Sequence, residues 1–165
     1  MYHNLMNVFF FEGWNNPKVY LDENHQRMAL NMRNNLTRLA TALIEEGDSS
    51  RAEEVLDKTM DILPASRIPH NYFSLFIGEA YYQAGAAEKG DEVLRGLAEE
   101  NYQELRYYTS LRPGLRNSAM HDMQRSMAIY GEVLRVLRSH QRDALMQDTE
   151  GLYEGLFRGL GFFEE

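Results

Sequence analysis

The sequence predicts an all-α protein in which about six helices form antiparallel hairpins that stack into a right-handed superhelix. The first observation behind this prediction is a spacing of small and large apolar residues that occurs twice. The second is a glycine, Gly47 or Gly85, placed where the first helix of each pair must end and the chain must turn back. One hairpin cannot cover its own apolar face, so such units stack against each other. The repeated positions are Leu36, Leu39, Ala40, Leu43, Gly47, Ala52, Leu56, Met60 and Pro64 in the first stretch and Ile77, Gly78, Tyr81, Gly85, Gly90 and Leu94 in the second.

The chain begins with an aromatic segment and a first helix pair. Residues 1–21 are rich in aromatic side chains and are broken by glycine and proline, so we expect an irregular arm. The first pair is predicted over 24–64, because acidic and amide side chains at 22–24 suit a helix N-terminus and Pro64 ends the second helix. Three leucines are expected in its core. They are Leu39, Leu43 and Leu56.

Two further helix pairs are predicted within the same domain, which we take as 1–165. The second pair covers 70–111, where the apolar period continues up to a break at Arg112-Pro113-Gly114. The third and more divergent pair covers 117–160. Its last helix has three glycines four residues apart, which indicates either a close backbone approach to a neighbouring helix or a frayed tail. These are Gly151, Gly155 and Gly159.

Composition excludes several function classes. The chain has 25 acidic and 17 basic residues and a formal charge of −8, which argues against a nucleic-acid surface. It has no cysteine, so it contains no disulfide and no thiolate zinc site. No apolar run approaches the roughly 20 residues that cross a bilayer, and we expect no membrane span in this chain.

The sequence contains no recognisable catalytic, metal-binding or cofactor-binding motif. His25 follows acidic residues, but no second histidine stands four residues away, and helix capping accounts for the group better. His121 and Asp122 are adjacent and therefore do not face each other on a helix. No serine has a GxSxG context. We expect no catalytic residues, no metal, no cofactor and no enzymatic activity of this chain alone.

The paired spacing resembles the tetratricopeptide repeat over residues 33 to about 104. With Arg33 as the first position, the small residues, the turn glycine and the closing proline of that family fall on matching positions of the first copy. The second copy starts near Asn71 and lacks the closing proline. The matching positions are Ala40, Gly47, Ala52 and Pro64, then Gly78, Tyr81, Gly85, Gly90 and Leu94.

A second resemblance covers most of the chain. The strings at 4–7, 19–24, 27–28, 31–35, 39–47 and 55–58 resemble the soluble C-terminal region of a family of large bacterial multi-spanning membrane proteins, long catalogued as a domain of unknown function. That family is similar to the transmembrane protein O-mannosyltransferases. The resemblance implies a tetratricopeptide-like tail on the periplasmic side of the inner membrane, with an accessory role. The catalytic carboxylates of that family belong to its membrane part, so none is carried over.

On the tetratricopeptide-like register, the first helix of each pair lines a groove that we expect to bind a protein or a glycan-bearing peptide. Tyrosine suits such ligands because it offers a flat apolar face with a polar edge. An alternative is a merely solvated surface, or one covered by the aromatic arm. The predicted groove residues are Asn34, Thr37, Arg38, Thr41 and Glu45 in the first pair and Tyr72, Leu75, Glu79 and Tyr82 in the second.

The sequence is therefore compatible with two function classes. The first is a non-catalytic binding or scaffold domain of a membrane glycosyltransferase-like protein, which contacts the protein acceptor or the membrane domain of the same full-length chain. The second is a free-standing cytoplasmic adaptor for protein–protein interaction. Neither class involves nucleic acid.

Overall fold

The computed structural model describes residues 2–159, and all regular structure in this part of the chain is helical. The all-α prediction is therefore confirmed. A single π-helical turn at Asn4–Val8 precedes seven α-helices. These are α1 (Glu23–Glu45), α2 (Ser49–Ile62), α3 (Ser74–Ala84), α4 (Ala87–Ser110), α5 (Pro113–Ser118), α6 (Met120–Ser139) and α7 (Asp143–Gly159).

The first hairpin forms where capping residues and a turn glycine were predicted. The Asp22 carboxylate accepts a hydrogen bond from the backbone N–H of His25 at 2.8 Å and so starts α1. Gly47 adopts a φ of 81°, which a residue without Cβ reaches at no steric cost. Gly85 has a φ of 90° and turns the chain between α3 and α4 in the same way. Both predicted turns are confirmed.

The second hairpin is held by a close approach of its two helices. A Cβ atom added to Gly78 on α3 would lie 2.7 Å from Cγ of Leu94 on α4. A Cβ atom added to Gly90 would lie 2.6 Å from the ring of Tyr82. The small residues of the second repeated stretch therefore allow α3 and α4 to pack at short distance.

The helix count differs from the six that were expected, because the residues after α4 form an additional short helix, α5. Pro113 occupies the first turn of α5, where its missing N–H costs no helical hydrogen bond and its fixed φ is already helical. Arg116 donates to the carbonyl oxygen of Thr109 at 2.7 Å and ties this short helix to the end of α4. The first helix of the second pair also begins later than expected, at Ser74 instead of His70.

The hairpins share a core that passes from one pair to the next. One buried cluster joins α1, α2 and α3, and it includes the three leucines predicted for the first pair, Leu39, Leu43 and Leu56. A second cluster joins α3 and α4 to α6 and Leu145 of α7, and a third joins α4, α6 and α7. Each pair therefore supplies apolar surface that its neighbour covers, as stacked hairpins require. The handedness and the tetratricopeptide-like repeat arrangement stay predictions.

The N-terminal arm, residues 2–21, packs against the first hairpin. Its side chains at Leu5, Phe11 and Trp14 contact the first core cluster. Lys58 of α2 donates to the carbonyl oxygen of Met6 at 2.5 Å. The arm therefore covers one side of the first pair. The interpretation of Gly151 and Gly155 as a close backbone approach is wrong, because nothing lies within 4 Å of a Cβ built at either residue.

Some predicted features lie outside the described residues. Met1 and residues 160–165, which the sequence analysis included in the domain and in the last helix pair, are among them. Within residues 2–159, none of the helices combines the length and the apolar character that a membrane span needs.

Glycine-to-alanine substitutions should have opposite effects at buried and open helical positions. Gly90→Ala should lower the free energy of unfolding by about 1–3 kcal/mol, because the new methyl group would collide with the Tyr82 ring and approach the Gly78 carbonyl oxygen. Gly131→Ala on α6, with nothing within 4 Å, should raise it by up to about 1 kcal/mol, because alanine is the better helix former. Urea denaturation measures both. Equal effects at the two positions would contradict the packing of α3 on α4.

Candidate binding site

The site is built on a buried arginine that holds the loop between α2 and α3. Arg33 is 1% exposed on α1. Its guanidinium donates to the carbonyl oxygens of Leu63 at 2.6 Å and Ile68 at 2.8 Å, with a longer contact to Pro69 at 3.3 Å. Burial without a carboxylate partner lowers the pKa of Arg33 to about 10, so the side chain remains charged at neutral pH. The loop is therefore fixed by a cation that donates to its backbone.

This loop places His70 four residues before α3 begins. The His70 Nδ1 atom lies 3.1 Å from the Ser74 hydroxyl, and its ring packs so closely on Gly96 of α4 that an added Cβ would approach it to 2.8 Å. Burial, together with the positive charge of Arg33, lowers the pKa of His70 to about 4. At neutral pH the ring is neutral, and it fixes the start of α3 against α4.

An exposed aromatic cluster follows His70 directly. It consists of Tyr72, Phe73 and Phe76, which are 45%, 41% and 44% exposed. Tyr72 meets the edges of its two partners, with ring centroids 6.0 Å from Phe73 and 5.6 Å from Phe76. These edge-to-face contacts order the three rings although solvent reaches all of them. The cluster is therefore an ordered apolar surface open to a partner.

Six of the nine predicted groove residues are solvent-accessible, on α1, just before α3 and in the middle of α3. They are Asn34, Arg38, Thr41, Glu45, Tyr72 and Glu79. Arg135 of α6 is near enough to Glu79 of α3 to interact with its charge. Helix α3 packs against both α1 and α6. We give the name shared face to four solvent-accessible residues of these three helices, which are Arg38, Phe76, Glu79 and Arg135.

The other three predicted groove residues are buried and do not project from this surface. Thr37 is covered, and its hydroxyl donates to the Arg33 carbonyl oxygen at 2.8 Å within α1. Leu75 and Tyr82 belong to the core cluster that α6 completes. The Tyr82 hydroxyl also donates to Asp91 at 2.8 Å. These three assignments to the groove were wrong, because helices packed beside α1 and α3 cover surfaces that an isolated hairpin would expose.

A cavity of about 220 Å³ lies between the start of α3, α4 and α6. Tyr72 and Phe73 contribute to its lining, together with Leu97 and Asn101 of α4. Asn101 is 3% exposed, and its Oδ1 has no hydrogen-bond partner in the described part of the chain. The remaining lining residues are His70, Asn71, Glu100, Glu104, Arg125 and Ile129. The cavity thus combines aromatic walls with charged groups.

Nothing in the described residues points to a chemical reaction at this cavity. No group of three or more His, Asp or Glu side chains within residues 2–159 is arranged to hold a metal ion. The arrangement offers apolar contact and hydrogen-bond acceptors, and these suit the binding of a ligand.

Comparisons with known proteins add no relative. No protein-family model matches the chain, and searches of curated proteins and of solved structures find no match either. The resemblance to the tail of a membrane glycosyltransferase family therefore stays an expectation from the sequence.

Sequence reasoning missed most of the cavity lining and two rings of the aromatic cluster. Phe73 and Phe76 could have been found as an aromatic run with Tyr72, because residues three or four apart share a helix face. Asn101 interrupts the apolar stripe of Leu94, Leu97 and Leu105, and an amide at a stripe position signals a buried polar group. No feature of the sequence pointed to Arg125, because it belongs to the third helix pair and the aromatic cluster belongs to the second.

Replacing Arg33 tests whether its guanidinium holds the loop. Arg33→Met should lower the free energy of unfolding by about 1–3 kcal/mol, because buried carbonyl oxygens lose their donors. Arg38→Met, on the exposed side of the same helix, should change it by no more than about 0.5 kcal/mol. Urea denaturation compares the two variants. An Arg33→Met protein as stable as the Arg38→Met protein would show that the loop does not depend on this cation.

The half-buried, neutral His70 predicts a pH dependence of stability. Its pKa is lowered from 6.5 to about 4, so the unfolded chain binds more protons than the folded protein between these values. The contribution of His70 to the free energy of unfolding should therefore be fully present above about pH 6.5. It should be lost as the pH drops towards 4. His70→Gln should reduce this slope, measured by urea denaturation at several pH values. An unchanged slope would show that the folded protein does not hold His70 neutral below pH 6.5.

Proposed function

We propose that this chain is a non-catalytic binding or scaffold module that holds an extended protein segment along the shared face of α1, α3 and α6. The ordered aromatic cluster of Tyr72, Phe73 and Phe76 carries the proposal. Large rings that remain over two-fifths exposed while packing on each other are costly to leave in water and are enriched at the centres of protein interfaces. The polar surroundings, with Glu79, Arg38 and Arg135, would supply the hydrogen-bonding rim of such an interface.

The parent context is proposed from the resemblance. In this proposal the module is the soluble C-terminal part of a multi-spanning glycosyltransferase-like protein on the periplasmic side of the inner membrane. It contacts the acceptor protein, or the membrane domain of its own chain, and leaves glycosyl transfer to that domain. The acidic charge of the module agrees with a protein partner and not with a polyanion.

Three substitutions in the full-length protein test this role. Tyr72→Ala, Phe76→Ala and Glu79→Ala together remove exposed groups of the shared face and the cluster while leaving the buried clusters intact. Loss of aromatic anchors of this kind typically weakens binding by 2 kcal/mol or more, that is, roughly 30-fold. We therefore expect glycosylation of acceptor proteins, measured by mass spectrometry of glycopeptides in cells, to fall several-fold at unchanged membrane abundance.

A matched control removes two aromatic rings and one carboxylate elsewhere on the surface. Phe9→Ala, Phe10→Ala and Glu12→Ala remove two exposed aromatic rings and one exposed carboxylate from the N-terminal arm. This variant should glycosylate its acceptors normally. Equal glycosylation by the two triple variants would remove the shared face from consideration, and glycosyl transfer by residues 1–165 alone would overturn the non-catalytic proposal.

A further inference from the structure

The turn between α4 and α6 carries arginines and exposed apolar side chains together. Residues 105–121 contain three arginines and no aspartate or glutamate, although the whole chain has a formal charge of −8. Arg106 and Arg112 are exposed, and neither pairs with a carboxylate within residues 2–159. Tyr107 and Leu115, close to them in the chain, are 61% and 59% exposed. We call Arg106, Tyr107, Arg112 and Leu115 the basic corner.

The third arginine of this turn holds the basic corner together. The Arg116 guanidinium donates to the carbonyl oxygens of Thr109 at 2.7 Å and Leu111 at 3.2 Å, and so joins α5 to the end of α4. The Ala119 N–H bonds to the carbonyl oxygen of Leu115 at 3.1 Å and connects α5 to α6. The turn is therefore fixed on both sides, and its exposed side chains stand on an ordered backbone.

The backbone of this turn is already hydrogen-bonded, whereas a helix end usually leaves its last four carbonyl oxygens to water. Three of the last four carbonyl oxygens of α4 accept from within the protein, and Pro113 at the start of α5 has no N–H. The donors are the Ser110 hydroxyl for Tyr107 at 2.7 Å, the Leu111 N–H for Tyr108 at 3.3 Å and the Arg116 guanidinium for Thr109 at 2.7 Å. Such a backbone loses little when its surroundings become less polar.

The size and the charge of the basic corner favour a lipid surface over a protein partner. A stable protein interface buries about 800 Å² on each partner and takes roughly 20–30 residues a side. The basic corner spans only 106–115. An anionic bilayer offers negative head groups to arginines and an apolar boundary to tyrosine and leucine within one plane. The acidic residues elsewhere on the chain act weakly at this turn, because the Debye length is about 10 Å at 0.1 M salt.

We propose that the basic corner docks on an anionic membrane surface. Arg106 and Arg112 contact the negative head groups, and Tyr107 and Leu115 reach the boundary between head groups and acyl chains. The chain lies on one leaflet in this contact and does not cross the bilayer. The inference goes beyond the proposed function and does not rest on it, because it concerns other residues and another kind of partner.

Vesicle sedimentation measures the docking directly. At 0.1 M NaCl the chain should bind vesicles of mixed phosphatidylglycerol and phosphatidylcholine more tightly, by about tenfold, than vesicles of phosphatidylcholine alone. Arg106→Gln with Arg112→Gln should weaken binding to the mixed vesicles by about tenfold, because both removed charges attract anionic head groups. Equal affinity of the unaltered chain for the two vesicle types would overturn the proposal.

A charge-matched variant separates the basic corner from the overall charge. Arg38→Gln with Arg138→Gln removes the same charge from exposed positions on α1 and in the last turn of α6. Binding of this variant to the mixed vesicles should weaken less than twofold. Equal weakening by the two double variants would show that the vesicles respond only to net charge, and the proposal would be wrong.

A fluorescent probe tests whether the apolar side chains enter the bilayer. The chain has no cysteine, so a single introduced thiol can carry a polarity-sensitive nitrobenzoxadiazole group. A probe at Leu115→Cys should brighten and shift to the blue on addition of the mixed vesicles. The same probe at Ala42→Cys, an exposed position on α1, should keep its emission. An unchanged signal at the Leu115 position would contradict docking through this turn.

A second copy of this acidic chain is the alternative partner, and analytical ultracentrifugation tests it. If vesicles leave the chain unbound while it self-associates at 0.1 M NaCl, and the Arg106→Gln, Arg112→Gln variant stays monomeric, the basic corner contacts another copy and the lipid proposal is wrong. Tyr72→Ala, Phe76→Ala and Glu79→Ala together should leave vesicle binding unchanged. Failure of either proposal therefore leaves the other standing.

Discussion

The buried guanidinium of Arg33 is the constraint on which the rest of the site depends. Because it donates to the carbonyl oxygens of Leu63 and Ile68, the connection between the first two hairpins has one defined path. That path delivers His70 onto Gly96 of α4 and sets where α3 begins. A cation with no carboxylate partner is expensive to bury, and it remains only because backbone acceptors surround it. The aromatic cluster and the cavity both start within a few residues of this connection.

Local sequence rules were sufficient for elements whose neighbours lie nearby in the chain. Gly47 and Gly85 adopt the positive φ that the turns require, and Asp22 caps α1, because each effect needs only a few consecutive residues. Gly78 and Gly90 meet across one hairpin, which the doubled spacing already implied. The fold class and the turns within the first two hairpins could therefore be predicted without any knowledge of distant contacts.

The site could be predicted only in part because it depends on contacts between hairpins. Leu75 and Tyr82 are buried by residues such as Ile129 and Val133 of α6, about 50 positions later in the chain, so no pattern within α3 reveals their burial. Asn101 is oriented by Ser126 and Tyr153, which lie 25 and 52 positions away. The tetratricopeptide-like register assumes that the first helix of every pair exposes the same face. It therefore assigns to the groove residues of α3 that the third pair covers.

The third hairpin also helps to fix the positions of α3 and α4. Arg142, just before α7, pairs with Asp91 of α4, and the same carboxylate accepts from Tyr82 of α3, so one ion pair joins three helices. Desolvation of Asp91 opposes its ionisation, but the hydrogen bonds from Arg142 and Tyr82 outweigh it and lower the pKa of that carboxyl. Arg33 holds the loop before α3, and Arg142 holds α4 through Asp91. The aromatic cluster and the cavity beside it lie between these two contacts. A ligand meeting them would find groups already in place, and preorganisation of this kind reduces the entropy lost on binding.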